Sequence, residues 1–159
     1  MGNSALDDMK NASSVNKGKL ALNDMKTPEN GVMPQGNQLG IGAALESPNK
    51  RFRLDMQSDG NLVLYKEPEH RPIWHTNTVG RGGFRANLQH DGNFVVYTES
   101  SVPIWNSRTQ DIGENYLMMQ DDGNLVIYHL DYYRIRHVQW STGTNGMKKA
   151  TNLRTESFS

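Results

Sequence analysis

The sequence predicts an all-β domain in which three copies of one unit share an axis. Two observations carry that expectation. Gln57-Ser-Asp-Gly-Asn-Leu-Val-Leu-Tyr65 recurs as Gln89-His-Asp-Gly-Asn-Phe-Val-Val-Tyr97 and again as Gln120-Asp-Asp-Gly-Asn-Leu-Val-Ile-Tyr128. A tryptophan trails each copy, in Ile73-Trp74-His75, Ile104-Trp105-Asn106 and Gln139-Trp140-Ser141. A fixed period of this order marks a repeat architecture whose units bury their apolar faces against one another.

Residues 1 to 34 read as a polar arm, rich in Asn, Ser, Lys and Asp. The arm holds a small duplication, Ala5 to Lys10 and Ala21 to Lys26, in which Leu6 with Met9 and Leu22 with Met25 offer two short helical faces. Helices this short are marginal alone, so the arm is expected to be flexible or to dock on a partner. Residues 35 to 147 form the domain, and residues 35 to 50 read as its first strand and turn. Residues 148 to 159 form a polar tail.

Each unit reads as a β-hairpin. Arg51-Phe-Arg-Leu-Asp-Met-Gln57 alternates, then Asp-Gly marks a turn, then Asn61-Leu-Val-Leu-Tyr65 alternates again. A two-residue loop would set Gln57 against Leu62 and mix the two faces. A three-residue loop, Ser58-Asp59-Gly60, pairs Gln57 with Asn61 instead. Phe52, Leu54, Met56, Leu62 and Leu64 then share one face, and Gln57, Asn61, Val63 and Tyr65 the other. Gly60, Gly92 and Gly123 hold the loop position that favours a left-handed backbone. A further strand per unit ends in the tryptophan segment and is expected to start after a proline in two copies, Pro72 and Pro103. Three such sheets around one axis bring Trp74, Trp105 and Trp140 together as core.

Lys plus Arg and Asp plus Glu both number 17, so the chain lacks the basic footprint of a nucleic-acid binder. No cysteine is present, which excludes a disulfide framework and thiolate metal sites. No run approaches a membrane span, and no export signal precedes the domain, so a soluble protein with no membrane insertion is expected.

The polar face of each hairpin sets an amide, a carboxylate, an amide, a valine and a phenol side by side. That mixture donates and accepts hydrogen bonds as a sugar hydroxyl requires, and the valine suits the C–H patch of a pyranose. Bracing of the turn explains Asp and Asn but neither Gln nor Tyr.

Gln-x-Asp-x-Asn-x-Val-x-Tyr in three copies, with Ser47-Pro-Asn-Lys-Arg-Phe-Arg-Leu54 and the Ile-Trp strands, resembles the bulb-type, monocot mannose-binding lectin family (the B-lectin domain), over about residues 34–147. The resemblance implies a β-prism II of three four-stranded antiparallel sheets, with mannose in a shallow, metal-independent groove on each and no cofactor. It assigns Gln57, Asp59, Asn61, Val63 and Tyr65 to the first groove. Gln89, Asp91, Asn93, Val95 and Tyr97 fall to the second, and Gln120, Asp122, Asn124, Val126 and Tyr128 to the third. In the family, Gln, Asp, Asn and Tyr bond the hydroxyls and Val makes the apolar contact. Many members carry a half-cystine where Gly60, Gly92 or Gly123 stands here, and family dimers often exchange C-terminal strands. Plant members usually carry a signal peptide. Its absence points towards a bacterial cytoplasm or a phage-like particle.

Enzyme readings are weaker. Glycoside hydrolysis needs two carboxylates about 5–9.5 Å apart, and Asp59, Asp91 and Asp122 are expected on separate sheets. His70, His75, His90, His129 and His137 show no metal-ligand spacing. The expected function is therefore multivalent recognition of a mannose-containing glycan by a homo-oligomer or larger assembly. The alternative is an assembly component, such as a virion or bacteriocin-like appendage, whose arm docks on a scaffold and whose domain reads a host surface or only packs.

Overall fold

The computed structural model describes residues 29–146. The duplication at residues 5–10 and 21–26, for which two short helical faces are expected, and the tail at residues 148–159 lie outside the described residues. Among the described residues, twelve strands form three antiparallel four-stranded sheets, the β-prism II arrangement.

Each repeat supplies three consecutive strands to one sheet. The first gives β4 (Phe52–Met56), β5 (Leu62–Lys66) and β6 (Arg71–His75). The second gives β7 (Gly83–Leu88), β8 (Phe94–Thr98) and β9 (Pro103–Asn106). The third gives β10 (Glu114–Met119), β11 (Leu125–Leu130) and β12 (Arg136–Ser141). The fourth strands are β1 (Val32–Pro34), β2 (Gln38–Gly40) and β3 (Ala44–Glu46), three residues each. They visit the sheets in reverse, as β1-β10-β11-β12, β2-β7-β8-β9 and β3-β4-β5-β6.

This belt departs from the sequence expectation at two points. Val32–Pro34, which the sequence places in the arm, pairs with β10, and Met33 is fully buried. Residues 35 to 50 hold two strands rather than one. A three-residue strand is too short to show alternation, and its pairing is decided by a sheet edge some eighty residues away in the chain.

The hairpin register follows the three-residue loop. The Gln57 amide donates to the Asn61 carbonyl (2.9 Å) and the Gly60 amide to the Gln57 carbonyl (3.0 Å), leaving Met56 opposite Leu62. Gly60 takes φ +90°, and a Cβ there would stand 2.9 Å from the Gly83 amide nitrogen. The inward face, Phe52, Leu54, Met56, Leu62 and Leu64 with their counterparts, forms a shared hydrophobic core. Trp74, Trp105 and Trp140 meet edge to face, with ring centroids 5.6–5.8 Å apart, a favoured geometry for aromatic pairs. Each closing strand carries a register shift at the motif tyrosine, at Leu64/Tyr65, Val96/Tyr97 and Ile127/Tyr128. The residue before each tryptophan is thus the extra one, and a bulge there bends the strand over the core.

Candidate functional site

The motif residues gather as sequence alternation requires. Along β5, Asn61, Val63 and Tyr65 share the outer face, and Gln57 with Asp59 adjoins them across the turn. The same arrangement recurs beside β8 and β11. Asp59, Asp91 and Asp122 belong to three different sheets.

Within each groove the side chains bond one another. The Gln57 amide donates to both Asp59 oxygens (3.1 Å), and the Tyr65 phenol donates to the Gln57 carbonyl. Gln89, Asp91 and Tyr97 repeat this set. In the third groove the Tyr128 phenol reaches Gln120 at 3.3 Å. Val63 lies between Asn61 and Tyr65 in register and is only 4 % exposed, so its methyls floor the groove beneath the Gln–Tyr link. Val95 and Val126 are buried likewise. Burial, then the nearby charges of Asp55, Asp59 and Glu67, push the Tyr65 phenol above its ordinary value, which keeps it a hydrogen-bond donor. Tyr65 stacks on His70 at 3.8 Å, while Arg85 lies over Tyr97 and Arg136 over Tyr128.

The asparagines do more than line a groove. Asn61 is 6 % exposed. Its Oδ1 accepts from the Thr78 amide (3.1 Å) and the Thr76 hydroxyl (3.2 Å), while its Nδ2 meets His75 Nδ1 (3.0 Å). The Thr78 hydroxyl then donates to the Gly60 carbonyl (2.7 Å). Asn93 is held identically by Ser107 and Thr109, and Asn124 by Thr142 and Thr144. The motif asparagine thus pins the segment after each tryptophan onto the hairpin turn.

These partners escaped the sequence reading. Their signal was present: a Ser or Thr two residues after each tryptophan and a Thr four after it, at 76/78, 107/109 and 142/144. Among the described residues no three His, Asp or Glu side chains gather as a metal ion would require. Among them, too, no helix is long and apolar enough to cross a membrane.

The fold defines a β-prism II protein whose three sheets each carry one copy of the repeated motif. Comparison with solved structures is specific within that class. The chain is similar to the mannose-specific agglutinin of snowdrop, Galanthus nivalis, solved in complex with methyl-α-D-mannoside. That likeness has 39 % identity and a TM-score of 0.58, and it covers 72 % of this chain and 96 % of that one. A Marasmius oreades lectin superposes with a TM-score of 0.67 and 28 % identity over 76 % of this chain and 96 % of that one. With such identity over nearly the whole of the snowdrop chain, the protein belongs to the bulb-type lectin family. Among curated proteins, a G-type lectin S-receptor-like serine/threonine-protein kinase of Oryza sativa is 40 % identical over 67 residues. That match covers 35 % of this chain and only 8 % of the kinase's length. No family model matches the chain.

Proposed function

We propose that this chain is a carbohydrate-binding lectin that recognises mannose-type glycans at three shallow, metal-independent grooves and acts by multivalency rather than by catalysis. The observation that carries the reading is the Tyr–Gln link that recurs over a buried valine in all three units, joined by a Gln–Asp bond in the first two. The mannoside complex of the snowdrop relative supports the choice of sugar.

A hydroxyl pair of the ligand replaces the internal bonds of the groove. Tyr65 turns its proton to a sugar oxygen, Gln57 exchanges one partner for another, and Asp59 accepts from a hydroxyl. Exchange of equivalent hydrogen bonds leaves each worth about 0.5–1.5 kcal/mol net. A single groove therefore falls near millimolar, about 4 kcal/mol. Several grooves meeting one branched glycan gain about 10²–10⁴ in avidity where their spacing fits.

Titration of the full chain with methyl-α-D-mannoside, followed by amide chemical shifts, tests the reading. The expected result is saturable shifts beside Asn61, Asn93 and Asn124, lost in a folded Tyr65→Phe, Tyr97→Phe, Tyr128→Phe triple variant. A folded wild-type protein that responds to no mannose-containing glycan would overturn it.

A further inference from the structure

The three motifs match, but the strands beside them do not. In the first unit a cleft of about 450 Å³ adjoins the groove and shares Gln57 and Asp59 with it. Volumes of this order hold small ligands. Its far wall is the β2–β3 turn at Ile41 to Ala43, and its floor carries Arg53 and Asp55. By register Asp55 stands opposite Val63 and Arg53 opposite Tyr65, so the outer face of β4 continues the groove on β5 without a step. On β3 the small Ala44 faces Asp55 and leaves that face low.

The floor is ordered and polar. Arg53 Nε donates to Asp55 Oδ1 (2.6 Å), and Arg53 Nη1 donates to Glu46 (3.1 Å). The Arg53 and Asp55 side chains are 35 % and 20 % exposed, half sunk and still reachable. Ile41 adds an exposed apolar wall. Carboxylate acceptor, guanidinium donor and apolar contact together repeat the chemistry of the groove itself.

Neither sister unit rebuilds this floor. Asn87 and Arg85 occupy the matching places in the second, where Arg85 is spent on the Thr98 carbonyl (3.2 Å) and Ser101 hydroxyl (2.8 Å). Met118 and Tyr116 occupy them in the third, with Tyr116 packed on Tyr128. The residues facing Asn87 and Met118 are the larger Gln38 and Val32.

We infer that the Arg53–Asp55 cleft is a second sugar subsite, present in the first unit and absent from the other two, which holds the next neutral hexose of a glycan whose end sits over Val63. It makes the first groove a reader of linkage where the others read single residues. The inference rests on the carbohydrate reading of the grooves.

The full chain is titrated with methyl-α-D-mannoside and with α1→2-, α1→3- and α1→6-linked mannobiose, and the amides of Gly60, Asn61 and Val63 report the first groove. At least one mannobiose binds there about tenfold more tightly than the monosaccharide, the gain from one charge-assisted hydrogen bond. Asp55→Ala, and separately Ile41→Ser on its exposed turn, each bring that ratio towards one. A wild-type ratio near one for all three linkages, or a ratio that both variants leave intact, overturns the subsite. Absence of any shift with methyl-α-D-mannoside overturns instead the sugar reading of the groove, and the subsite with it.

Discussion

Replacing Asn61 by alanine separates the scaffold role of the motif asparagine from its place in the groove. Its Oδ1 is the acceptor for the Thr78 amide at 3.1 Å, and Thr78 is fully buried. Alanine leaves that amide without a partner, since the Thr78 hydroxyl donates elsewhere, to the Gly60 carbonyl. The Thr76 hydroxyl loses an acceptor too but keeps its contact with Thr78 at 2.8 Å. One orphaned buried amide costs about 1–3 kcal/mol. A domain of this size loses roughly 4 °C per kcal/mol. The Tm of Asn61→Ala, followed by near-ultraviolet circular dichroism of the tryptophan cluster, is therefore expected to fall by about 4–12 °C. Asn61→Asp keeps the acceptor and recovers most of the loss. Tyr65→Phe removes a half-buried phenol from the rim of the groove and shifts the Tm by no more than about 2 °C, in line with surface substitutions. An alanine variant melting within about 2 °C of wild type would refute the scaffold role. Loss of sugar binding in Asn61→Ala alone accordingly says little about the groove, and the tyrosine variants are the cleaner probe.

Three further outcomes follow from the packing and the turns. Trp105→Ala opens the tryptophan triad and the contact with Phe94, and is expected to cost about 3–5 kcal/mol in denaturant unfolding. Gly60→Ala meets both a φ of +90° and the Gly83 amide nitrogen 2.9 Å from the new Cβ, so a loss of about 1–3 kcal/mol is expected in the same assay. The turn between β11 and β12 should loosen in acid. A hydrogen bond from His137, then the amides of Ile135 and Tyr133, hold the Asp131 carboxyl below its ordinary range. A lowered folded-state pKa gives a contribution that is full above the unfolded value, about 3.9, and is lost as the pH falls through the folded one. Hydrogen exchange at Tyr133 and Ile135 should therefore speed up below about pH 4 relative to core amides. Exchange rates that keep step with the core there would remove Asp131 as the cap of that turn.

The sequence alone determined the hairpins, their register and the outward set of side chains. It could do so because strand alternation has period two and a buried face tolerates no slip, so Gln57 opposite Asn61 follows from Leu62 and Leu64 having to face the core. It also pointed to the meeting of the three tryptophans, since three similar amphipathic units must bury their apolar faces together. Tertiary structure decided the rest. The strands β1, β2 and β3 are too short to show a period, and β1 and β2 find their places by pairing with distant edges, while β3 pairs with the adjacent β4. The second duty of Asn61, Asn93 and Asn124 became visible only when the Thr76–Thr78 segment and its counterparts closed over the turns. The inequality of the three grooves is likewise a tertiary fact. The hairpin register sets Asp55, Asn87 and Met118 each beside its valine, but the wall at Ile41 to Ala43 and the small Ala44 opposite Asp55, which leave one flank open, come from the belt.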